Sequence, residues 1–339
     1  MSTPANSSGD GAVVLSNIPA AVIITSFSVV GIIGNTLVIT AVTMSRRLQT
    51  TTNVFVVTLS CVDFLSALIL PYQVVALLGG VKPQGPTSVF CQVIGALSYV
   101  FSGWSIITLI VIAFNRYFLI TQPLQRYRMV FCKRNIAIII VIVLSYPIVP
   151  VITFIVTGWA TFGLKNDVCS LVEGLGFNIL SGISMITLMA AIIFLYVRIY
   201  LHVREHVRKI ASNETKNDIM PSTTSVTMGN GVGQQEGHRQ KRDHKASTEN
   251  KISKNLFFVI ICFFICMLPI TVTLFHPGVD PTVVVYCFVV LTLNCCINPV
   301  IYAWKHPDFR QVFRCLVTCR LRKIEEPSRW LRERLTNAV

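Results

Sequence analysis

Seven long apolar stretches constrain this chain more than any other feature of its sequence. A helix needs about 20 predominantly apolar residues to cross the hydrocarbon core of a bilayer, which is roughly 30 Å thick. Each stretch is that long, and charges are nearly absent from all of them because an ionised side chain is costly in hydrocarbon. The pattern predicts an all-α membrane protein, a bundle of seven transmembrane helices. The stretches cover residues 20–44, 53–78, 92–120, 135–157, 175–197, 256–275 and 282–304.

Composition and charge placement agree with a membrane protein. Of the 339 residues 53% are hydrophobic and 13% are charged, whereas a soluble domain has about 25% charged residues. The net charge is +14, and the basic residues that cause it lie between the spans. Their placement indicates membrane topology and not nucleic-acid binding. Lys and Arg are disfavoured in short translocated loops. With the N-terminus outside, 27 of the 29 basic residues lie on the inner side, which predicts a multi-pass plasma-membrane protein with an extracellular N-terminus.

Three regions follow from this topology. Residues 1–19 form an extracellular tail, residues 20–304 form the seven-helix domain, and residues 305–339 form a cytoplasmic tail. A loop at about 211–248 is rich in Ser, Thr, Asn, Gly and Gln, so we expect it to be disordered. After the seventh span, apolar residues follow at i, i+3, i+4 and i+7, which predicts a short amphipathic eighth helix on the inner membrane surface. These residues are Phe309, Val312, Phe313 and Leu316.

Covalent modification is predicted at three places. Of the 11 cysteines only Cys91 and Cys169 are placed outside, so in an oxidising exterior we expect them to form a disulfide. Cys315 and Cys319 lie near the inner leaflet and are candidates for palmitoylation. Asn6 begins the sequon Asn-Ser-Ser and is a candidate for N-glycosylation.

Five short motifs lie on spans one, two, three, six and seven, each on the side of the membrane where a known receptor family has it. No single motif is specific for that family, but the five motifs in this order and on these spans are specific for it. They are Gly34-Asn35-Thr36-Leu37-Val38, Leu59-Ser60-Cys61-Val62-Asp63, Asn115-Arg116-Tyr117, Cys266-Met267-Leu268-Pro269 and Asn298-Pro299-Val300-Ile301-Tyr302.

Across nearly the whole chain these motifs resemble the rhodopsin-like (class A) G protein-coupled receptors. The resemblance implies a receptor that binds an extracellular small molecule. It also implies activation of a heterotrimeric G protein when the cytoplasmic ends of helices three and six open, with arrestin as a further partner. Asn115-Arg116-Tyr117, together with Asn53-Val54-Phe55-Val56-Val57 and Pro71-Tyr72, looks most like the melatonin receptors within this class.

Several polar residues lie within apolar spans, where each is costly unless it finds a partner inside the bundle. Converging around one buried carboxylate, they would form a hydrated pocket suited to a small cation. The resemblance points to an allosteric sodium ion that favours the inactive state. The alternative is a network of interhelical hydrogen bonds with no ion. The residues are Asn35, Asp63, Ser105, Asn294 and Asn298.

The inner end of the third span carries a candidate switch. Arg116 needs acceptor partners, and Asn115 cannot form the ion pair that the family's usual Asp would. Glu249 matches the family's acid at the inner end of span six, so an Arg116–Glu249 pair would latch the two helices; alternatively Glu249 is an ordinary loop charge. Prolines in spans six and seven should kink those helices. The other residues assigned to coupling and switching are Tyr117, Tyr196, Phe263, Met267, Pro269, Pro299 and Tyr302.

The outer half of the bundle gives the ligand predictions. Ser98 stands where amine receptors resembling this class carry Asp, so we do not expect a biogenic amine. The lining is mostly aromatic and sparsely polar, which suits a neutral or lipophilic small molecule; the melatonin resemblance makes a melatonin-like ligand a hypothesis. The candidate pocket residues are Gln73, Ser98, Tyr99, Ser102, Asn178, His276 and Phe288.

Two other classes of protein compete with a receptor. An intramembrane enzyme would need a nucleophile with a base, or clustered metal ligands, and the sequence contains neither HExxH nor GxSxG. We therefore expect no enzymatic activity and no cofactor beyond the sodium ion. A transporter would need polar or broken helices lining a path across the membrane, but Asp63 is the single acid deep in a span and no internal repeat is visible.

Overall fold

The computed structural model describes residues 7–82, 85–218, 260–276 and 278–336. Its helices, numbered here in chain order, form a bundle, and two strands follow the fifth helix. The helices are α1 (Ser7–Met44), α2 (Thr51–Leu77), α3 (Pro86–Thr121), α4 (Leu124–Val130), α5 (Lys133–Val156), α6 (Leu175–Asp218), α7 (Ile260–Thr273), α8 (Pro281–Thr292), α9 (Asn294–Lys305), α10 (Pro307–Val317) and α11 (Arg329–Thr336); the strands are β1 (Thr161–Lys165) and β2 (Val168–Glu173).

The predicted seven-helix architecture is confirmed. Among the described residues, six helical segments are long and apolar enough to cross a membrane, and the shorter apolar helix α7 lies where the sixth span was predicted. The six segments are Leu15–Met44, Thr51–Leu77, Pro86–Thr121, Lys133–Val156, Leu175–Glu205 and Pro281–Lys305.

The prediction for the inner loop needs a correction at its start. Helix α6 continues to Asp218, so residues 211–218, which we expected to be disordered, are helical. A polar composition is also compatible with a helix that continues beyond the bilayer into water. Residues 219–248 lie outside the described part of the chain.

The seventh span is interrupted at Leu293, six residues before its proline. Helices α8 and α9 meet at Leu293, whose carbonyl accepts from the amides of both Cys296 and Ile297. Pro299 has no amide hydrogen, so the carbonyl of Cys295, four residues earlier, loses its helical donor. The Nδ2 of Asn35 donates to that carbonyl at 2.8 Å. Helix α1 therefore satisfies the backbone group that the proline leaves without a donor.

Close packing at Gly34 makes this contact between α1 and α9 feasible. A Cβ on Gly34 would lie 2.8 Å from the Cβ of Pro299, a separation that real structures do not show. A larger residue would push the helices apart and lengthen the Asn35 hydrogen bond. Gly34 and Asn35 therefore act together, one by its small size and the other by its amide.

The inner half of the bundle contains the largest apolar core, and α10 closes it from below. Phe309, Val312 and Phe313 are buried in that core, and Leu316 packs against it. The ring of Phe309 stacks on Tyr302 with centroids 5.4 Å apart. The predicted amphipathic eighth helix is thus confirmed, with its apolar face against the bundle.

The C-terminal tail folds back onto the end of α1. The amide of Ser328 donates to the carbonyl of Met44 at 2.8 Å, and the amide of Arg46 donates to the carbonyl of Glu326 at 2.9 Å. Leu331 on α11 joins the inner core. This packing buries Cys315 but leaves Cys319 exposed. Palmitoylation of Cys315 and Cys319 stays a prediction, with Cys319 the more accessible thiol of the two.

A β-hairpin between α5 and α6 was not predicted. Strands β1 and β2 pair antiparallel, and Asn166 and Asp167 turn the chain with positive φ angles of 51° and 61°. Asn and Asp tolerate this left-handed conformation, and two-residue turns of this kind match the twist of a hairpin. The Asn-Asp pair between two apolar runs was the sequence signal that could have revealed it.

The predicted disulfide is confirmed, and it holds this hairpin over the bundle. Cys91 on α3 and Cys169 on β2 are bonded, with their Cα atoms 5.1 Å apart. Both side chains are buried. A Cβ on Gly95, one turn along α3, would lie 3.1 Å from the amide nitrogen of Ser170, so the absence of a side chain there lets β2 lie directly on α3.

Candidate functional site

A cavity of about 380 Å³ lies in the outer half of the bundle. Helices α3, α5, α6, α7 and α8 form its walls, and β2 contributes to it from the hairpin. Its volume lies within the range of small-molecule sites, which are mostly apolar with a few placed polar groups. Six of the seven predicted pocket residues line it: Ser98, Tyr99, Ser102, Asn178, His276 and Phe288.

Gln73, the seventh predicted pocket residue, has a different role. Its side chain is fully buried and does not line the cavity. Its Oε1 accepts from the amide of Cys169 at 2.8 Å, and its Nε2 donates to the carbonyl of the same residue at 2.9 Å. Gln73 therefore does not line the cavity itself, and it reaches the cavity wall only through Ser98, whose hydroxyl accepts from its Nε2 at 3.3 Å.

The cavity has a polar side and an aromatic side. Ser98 and Ser102 donate along α3 to the carbonyls of Ile94 and Ser98, at 2.8 Å each. The Ser98 hydroxyl also accepts from the Nε2 of Gln73 at 3.3 Å, and the Ser102 hydroxyl can accept a hydrogen bond from a ligand. Tyr99 packs against Phe177 with centroids 5.3 Å apart, and its hydroxyl donates to the Oδ1 of Asn178 at 3.4 Å. The wall therefore offers a few hydroxyl and amide groups among aromatic rings.

Among the described residues that line this cavity, no side chain carries a negative charge, and Lys165 at the hairpin end is the one that carries a full positive charge. A cationic ligand would therefore lack a carboxylate partner. A desolvated ammonium without a partner is strongly unfavourable. The cavity fits an uncharged ligand better than an amine.

A second, smaller cavity of about 50 Å³ lies deeper, beside Asp63. The Nδ2 of Asn298 donates to Asp63 at 2.7 Å, and the hydroxyl of Ser105 donates to its other oxygen at 3.3 Å. Asn294 lines the same cavity. The structure thus brings together four of the five residues predicted around the buried carboxylate, from α2, α3 and α9.

The fifth predicted residue, Asn35, points elsewhere. Its Nδ2 donates to the carbonyls of Gly31 and Cys295, at 2.9 and 2.8 Å, and Asn35 does not line the small cavity. Its role in this structure is to satisfy backbone groups between α1 and α9. Polar residues in a span are costly wherever they lie, so the sequence alone could not separate these two roles.

The groups around Asp63 fit a small hard cation. The carboxylate and the Ser105 hydroxyl are oxygen donors, and the Oδ1 atoms of Asn294 and Asn298 are buried without a hydrogen-bond partner among the described residues. Carbonyl-type oxygens without partners are costly in a dry interior. A cation in the small cavity would find the Asp63 carboxylate, the Ser105 hydroxyl and the Asn294 amide oxygen among the groups that line it or lie beside it.

The two cavities share a wall. Ser98, Ser102, Met267, Phe288 and Leu291 line both of them. Met267, on α7, is almost fully buried and belongs to the inner core. A molecule bound in the outer cavity would therefore contact a side chain that also borders the Asp63 cavity.

At the inner end of α3, Asn115 joins three elements. It is fully buried. The hydroxyl of Thr52 on α2 donates to its Oδ1 at 2.7 Å, and its Nδ2 donates to the hydroxyl of Tyr127 on α4 at 3.1 Å. Sequence analysis had noted only that Asn115 cannot pair with Arg116. The structure shows that it instead ties α3 to α2 and α4.

The predicted switch residues lie close together in the inner core. Arg116 is buried, and it lies within electrostatic range of the hydroxyls of Tyr196 on α6 and Tyr302 on α9. Tyr117 follows it, partly buried and with its ring 6.0 Å from that of Phe118. Phe263 on α7 is fully buried in the same core.

Two predictions concern residues outside the described part of the chain. Glu249 and Asn6 lie outside the described residues, so the Arg116–Glu249 latch and the glycosylation of Asn6 stay predictions. Pro269 lies within helix α7 and Pro299 within α9.

Comparison with known proteins agrees with this architecture. The family described as 7 transmembrane receptor (rhodopsin family) matches residues 34–302. This is most of the chain, and the chain belongs to that family. It is therefore a multi-pass membrane protein of a receptor family.

Individual relatives and a solved structure are similar to the chain over most of its length. The alpha-1A adrenergic receptor of Oryzias latipes is 30% identical over 313 residues, which are 86% of this chain and 65% of that receptor. The alpha-1D adrenergic receptor of Mus musculus is 28% identical over 332 residues, 89% of this chain and 58% of that receptor. The crystal structure of squid rhodopsin superimposes with a TM-score of 0.71 at 21% identity, covering 91% of this chain and 87% of the other.

The chain thus spans about two thirds or less of the length of these adrenergic relatives. The rhodopsin likeness supports the fold alone. The relatives named here are adrenergic receptors, so the finer resemblance to melatonin receptors is not confirmed by them. The transporter alternative is not favoured, since the matching family is one of receptors.

Proposed function

We propose that this protein is a G protein-coupled receptor that binds a neutral or lipophilic small molecule from the extracellular side. Ligand binding activates a heterotrimeric G protein by opening the cytoplasmic ends of α3 and of the sixth span. The N-terminus is extracellular and the coupling surface is cytoplasmic, as the distribution of basic residues predicts. Arrestin is a second cytoplasmic partner in this proposal.

The observation that supports this function best is the position of Met267 between the two cavities. It lines the outer cavity and the Asp63 cavity, and it packs in the inner core with Phe263 and Ile106. A ligand that displaces Met267 would change the packing of α7 against α3. Packed cores tend to have discrete alternative arrangements, so a small displacement can select a different position of the helix.

The absence of an acid from the described lining supports an uncharged ligand. Ser98 faces the cavity at the position where the amine receptors that this sequence resembles carry Asp. We therefore do not expect this chain to share a ligand with the adrenergic receptors to which it is similar. A melatonin-like molecule remains a hypothesis that rests on the sequence motifs and on the apolar, hydroxyl-bearing walls.

Sodium is the proposed allosteric ion. Asp63 would supply the charge, while Ser105, Asn294 and Asn298 would supply further oxygens. The ion would stabilise the arrangement of α2, α3 and α9 seen here, and so oppose activation. Reciprocity of binding then requires that an agonist lowers the affinity for sodium.

A nucleotide-exchange assay tests the proposed function. The receptor is reconstituted in lipid nanodiscs with a purified heterotrimeric G protein, and a library of uncharged lipophilic compounds is screened for faster exchange. We expect a responding compound, and we expect Ser102→Phe, which fills the cavity, to abolish the response. Ser145→Phe, at an exposed position on α5, is the matched control. Responses equal in both variants would contradict binding in this cavity.

A further inference from the structure

The outer cavity is elongated along helix α6. The residues that line it run from Leu175, the first residue of this helix, to Leu188. At about 1.5 Å per residue these two positions are roughly 20 Å apart along the helix axis. On α3 the lining runs from Ser98 to Ile107, which is roughly 14 Å of helix. The cavity therefore reaches from the hairpin deep into the bundle.

The outer end of the cavity carries its amide and ionisable side chains. Lys165 and Asn166 line it from the hairpin, Asn178 from α6, and His276 from the segment after α7. Lys165 and His276 are exposed, so water reaches this end. The hydroxyl of Tyr99 donates to the Oδ1 of Asn178 at 3.4 Å, and the amide nitrogen of Asn178 can donate to a ligand. A polar group of a ligand can therefore find both water and protein partners here.

The opposite end is lined by a different class of side chain. Among the described residues there, no side chain is charged, aromatic or able to donate a strong hydrogen bond. We call this part of the cavity the deep end. The residues that line it are Ile106, Ile107, Met185, Leu188, Met267 and Leu291.

The hydroxyls nearest to the deep end donate within their own helices. Ser184 on α6 donates to the carbonyl of Ser181 at 3.0 Å, and Thr271 on α7 donates to the carbonyl of Met267 at 2.8 Å. A polar ligand group at the deep end would therefore lose its water without gaining a donor from these residues. Burial of a polar group without a hydrogen bond is unfavourable.

The deep end is closed on its inner side. Ile192, one turn beyond Leu188 on α6, and Phe263, one turn from Met267 on α7, are fully buried and do not line the cavity. Both belong to the inner core, together with Ile106 and Met267. The cavity therefore ends against packed side chains, and the part of a ligand that fills the deep end must extend into it from the outer end.

We propose that the ligand is an uncharged single-chain amphiphile, whose polar head group stays at the outer end of the cavity and whose aliphatic chain fills the deep end. This inference rests on the proposed function for the existence of a ligand. A flat aromatic ligand would gain from contacts with other rings, but Tyr99, Phe177 and Phe288 lie further out. An aliphatic chain gains affinity relative to water by about three- to fourfold for each buried methylene.

Photolabelling locates the end of such a chain without a known agonist or a G protein. The probes are the glycerol monoesters of hexanoic and dodecanoic acid, each with a diazirine at the end of its chain. They are added to the receptor in phosphatidylcholine nanodiscs at equal free aqueous concentration, and modified residues are identified by peptide mapping. We expect the dodecanoyl probe to label Ile107, Met185 or Leu188, and the hexanoyl probe to label the wall further out, at Ser181 or Ile270.

Two tryptophan variants on α6 test whether the label reports the deep end. Leu188→Trp should fill it and reduce labelling of Ile107 by the dodecanoyl probe severalfold, while labelling by the hexanoyl probe stays the same. Ile183→Trp, at a position that is 53% exposed and does not line the cavity, is the matched control and should leave both unchanged. Ile107→Phe fills the deep end from α3 and should reduce labelling of Met185 if Leu188→Trp does not fold.

The outcomes separate the ligand class from the function. Dodecanoyl label that is absent from the deep end, or equal there in Leu188→Trp and Ile183→Trp, would overturn the inference. Labelling requires no signalling, so the expected labelling in a receptor that never accelerates nucleotide exchange would contradict the proposed function and leave the ligand class intact. Faster exchange with compact uncharged compounds, and no label at the deep end, would overturn the ligand class and leave the function intact.

Discussion

The side chain of Gln73 hydrogen-bonds to both the backbone amide and the backbone carbonyl of Cys169. Its Oε1 accepts from the Cys169 amide at 2.8 Å, and its Nε2 donates to the Cys169 carbonyl at 2.9 Å. The disulfide to Cys91 fixes the side chain of the same residue. One residue of β2 is thus bound covalently to α3 and by two hydrogen bonds to α2, which fixes the hairpin above the outer cavity.

Removal of the Gln73 amide should destabilise the outer half of the bundle. Gln73→Ala leaves the amide and the carbonyl of Cys169 buried without these partners, and each unsatisfied group costs about 1–3 kcal/mol. We expect a clearly lower thermal unfolding temperature of the receptor in nanodiscs. Gln92→Ala, on an exposed position of α3, is the matched control. Equal unfolding temperatures for the two variants would show that the two bonds contribute little.

The Asn115 contacts should restrain the second inner loop. Tyr127→Phe removes the hydroxyl that accepts from the Nδ2 of Asn115 at 3.1 Å, which should cost about 1 kcal/mol and loosen α4. Hydrogen exchange of the α4 amides should become faster, which mass spectrometry can measure. Tyr200→Phe, on an exposed tyrosine of α6, should leave this exchange unchanged. If α4 is equally protected in both variants, Asn115 does not restrain it.

Sodium should stabilise the receptor through Asp63. We expect the unfolding temperature to be higher in sodium chloride than in choline chloride at the same ionic strength. Asp63→Asn should remove this difference, because it deletes the negative charge beside the small cavity. Asp280→Asn, at an exposed acid directly before α8, should retain it. A sodium effect that survives in Asp63→Asn would place the ion elsewhere.

His306, between α9 and α10, should make the inner end sensitive to acid. Burial is the main cause that lowers the pKa of His306 from 6.5 to about 4, and its Nδ1 is buried without a hydrogen-bond partner among the described residues. The unfolded chain therefore binds the proton first as pH falls. Stability should be unaffected by His306 above about pH 6.5 and should decrease from there toward pH 4.

A substitution separates this effect from the titration of other groups. His306→Gln cannot titrate, so the loss of stability between about pH 6.5 and pH 4 should be smaller in the variant than in the parent. Unfolding temperatures of both proteins in nanodiscs, measured across that range, provide the comparison. Parallel profiles would mean that the buried imidazole is not the group that responds.

The arrangement of helices could be predicted from the sequence because a bilayer restricts both the length and the composition of the segments that cross it. Apolar length identifies the spans, and the placement of Lys and Arg fixes which loops lie outside. That topology alone left Cys91 and Cys169 as the two outer cysteines, and the structure confirms their bond. The amphipathic spacing of Phe309, Val312 and Phe313 likewise identified α10.

The roles of single polar residues could not be predicted in the same way. A polar side chain within a span needs a partner, but the sequence does not say whether that partner is a ligand, another side chain or the backbone. Gln73 and Asn35 both bind backbone groups of distant elements. The sequence indicated the proline of the seventh span, but not that Asn35 on α1 donates to the Cys295 carbonyl that Pro299 leaves without a donor.

Basal nucleotide exchange by purified receptor and G protein tests the central claim most directly, since it asks whether the inner end couples to a G protein through Arg116. Parent, Arg116→Ala and Glu249→Ala are compared at matched amounts of folded receptor in nanodiscs. The account predicts that Arg116→Ala abolishes receptor-dependent exchange. Glu249→Ala should raise it severalfold at most, because partly solvated ion pairs contribute about 1 kcal/mol or less. Exchange that is unchanged in Arg116→Ala would contradict the account.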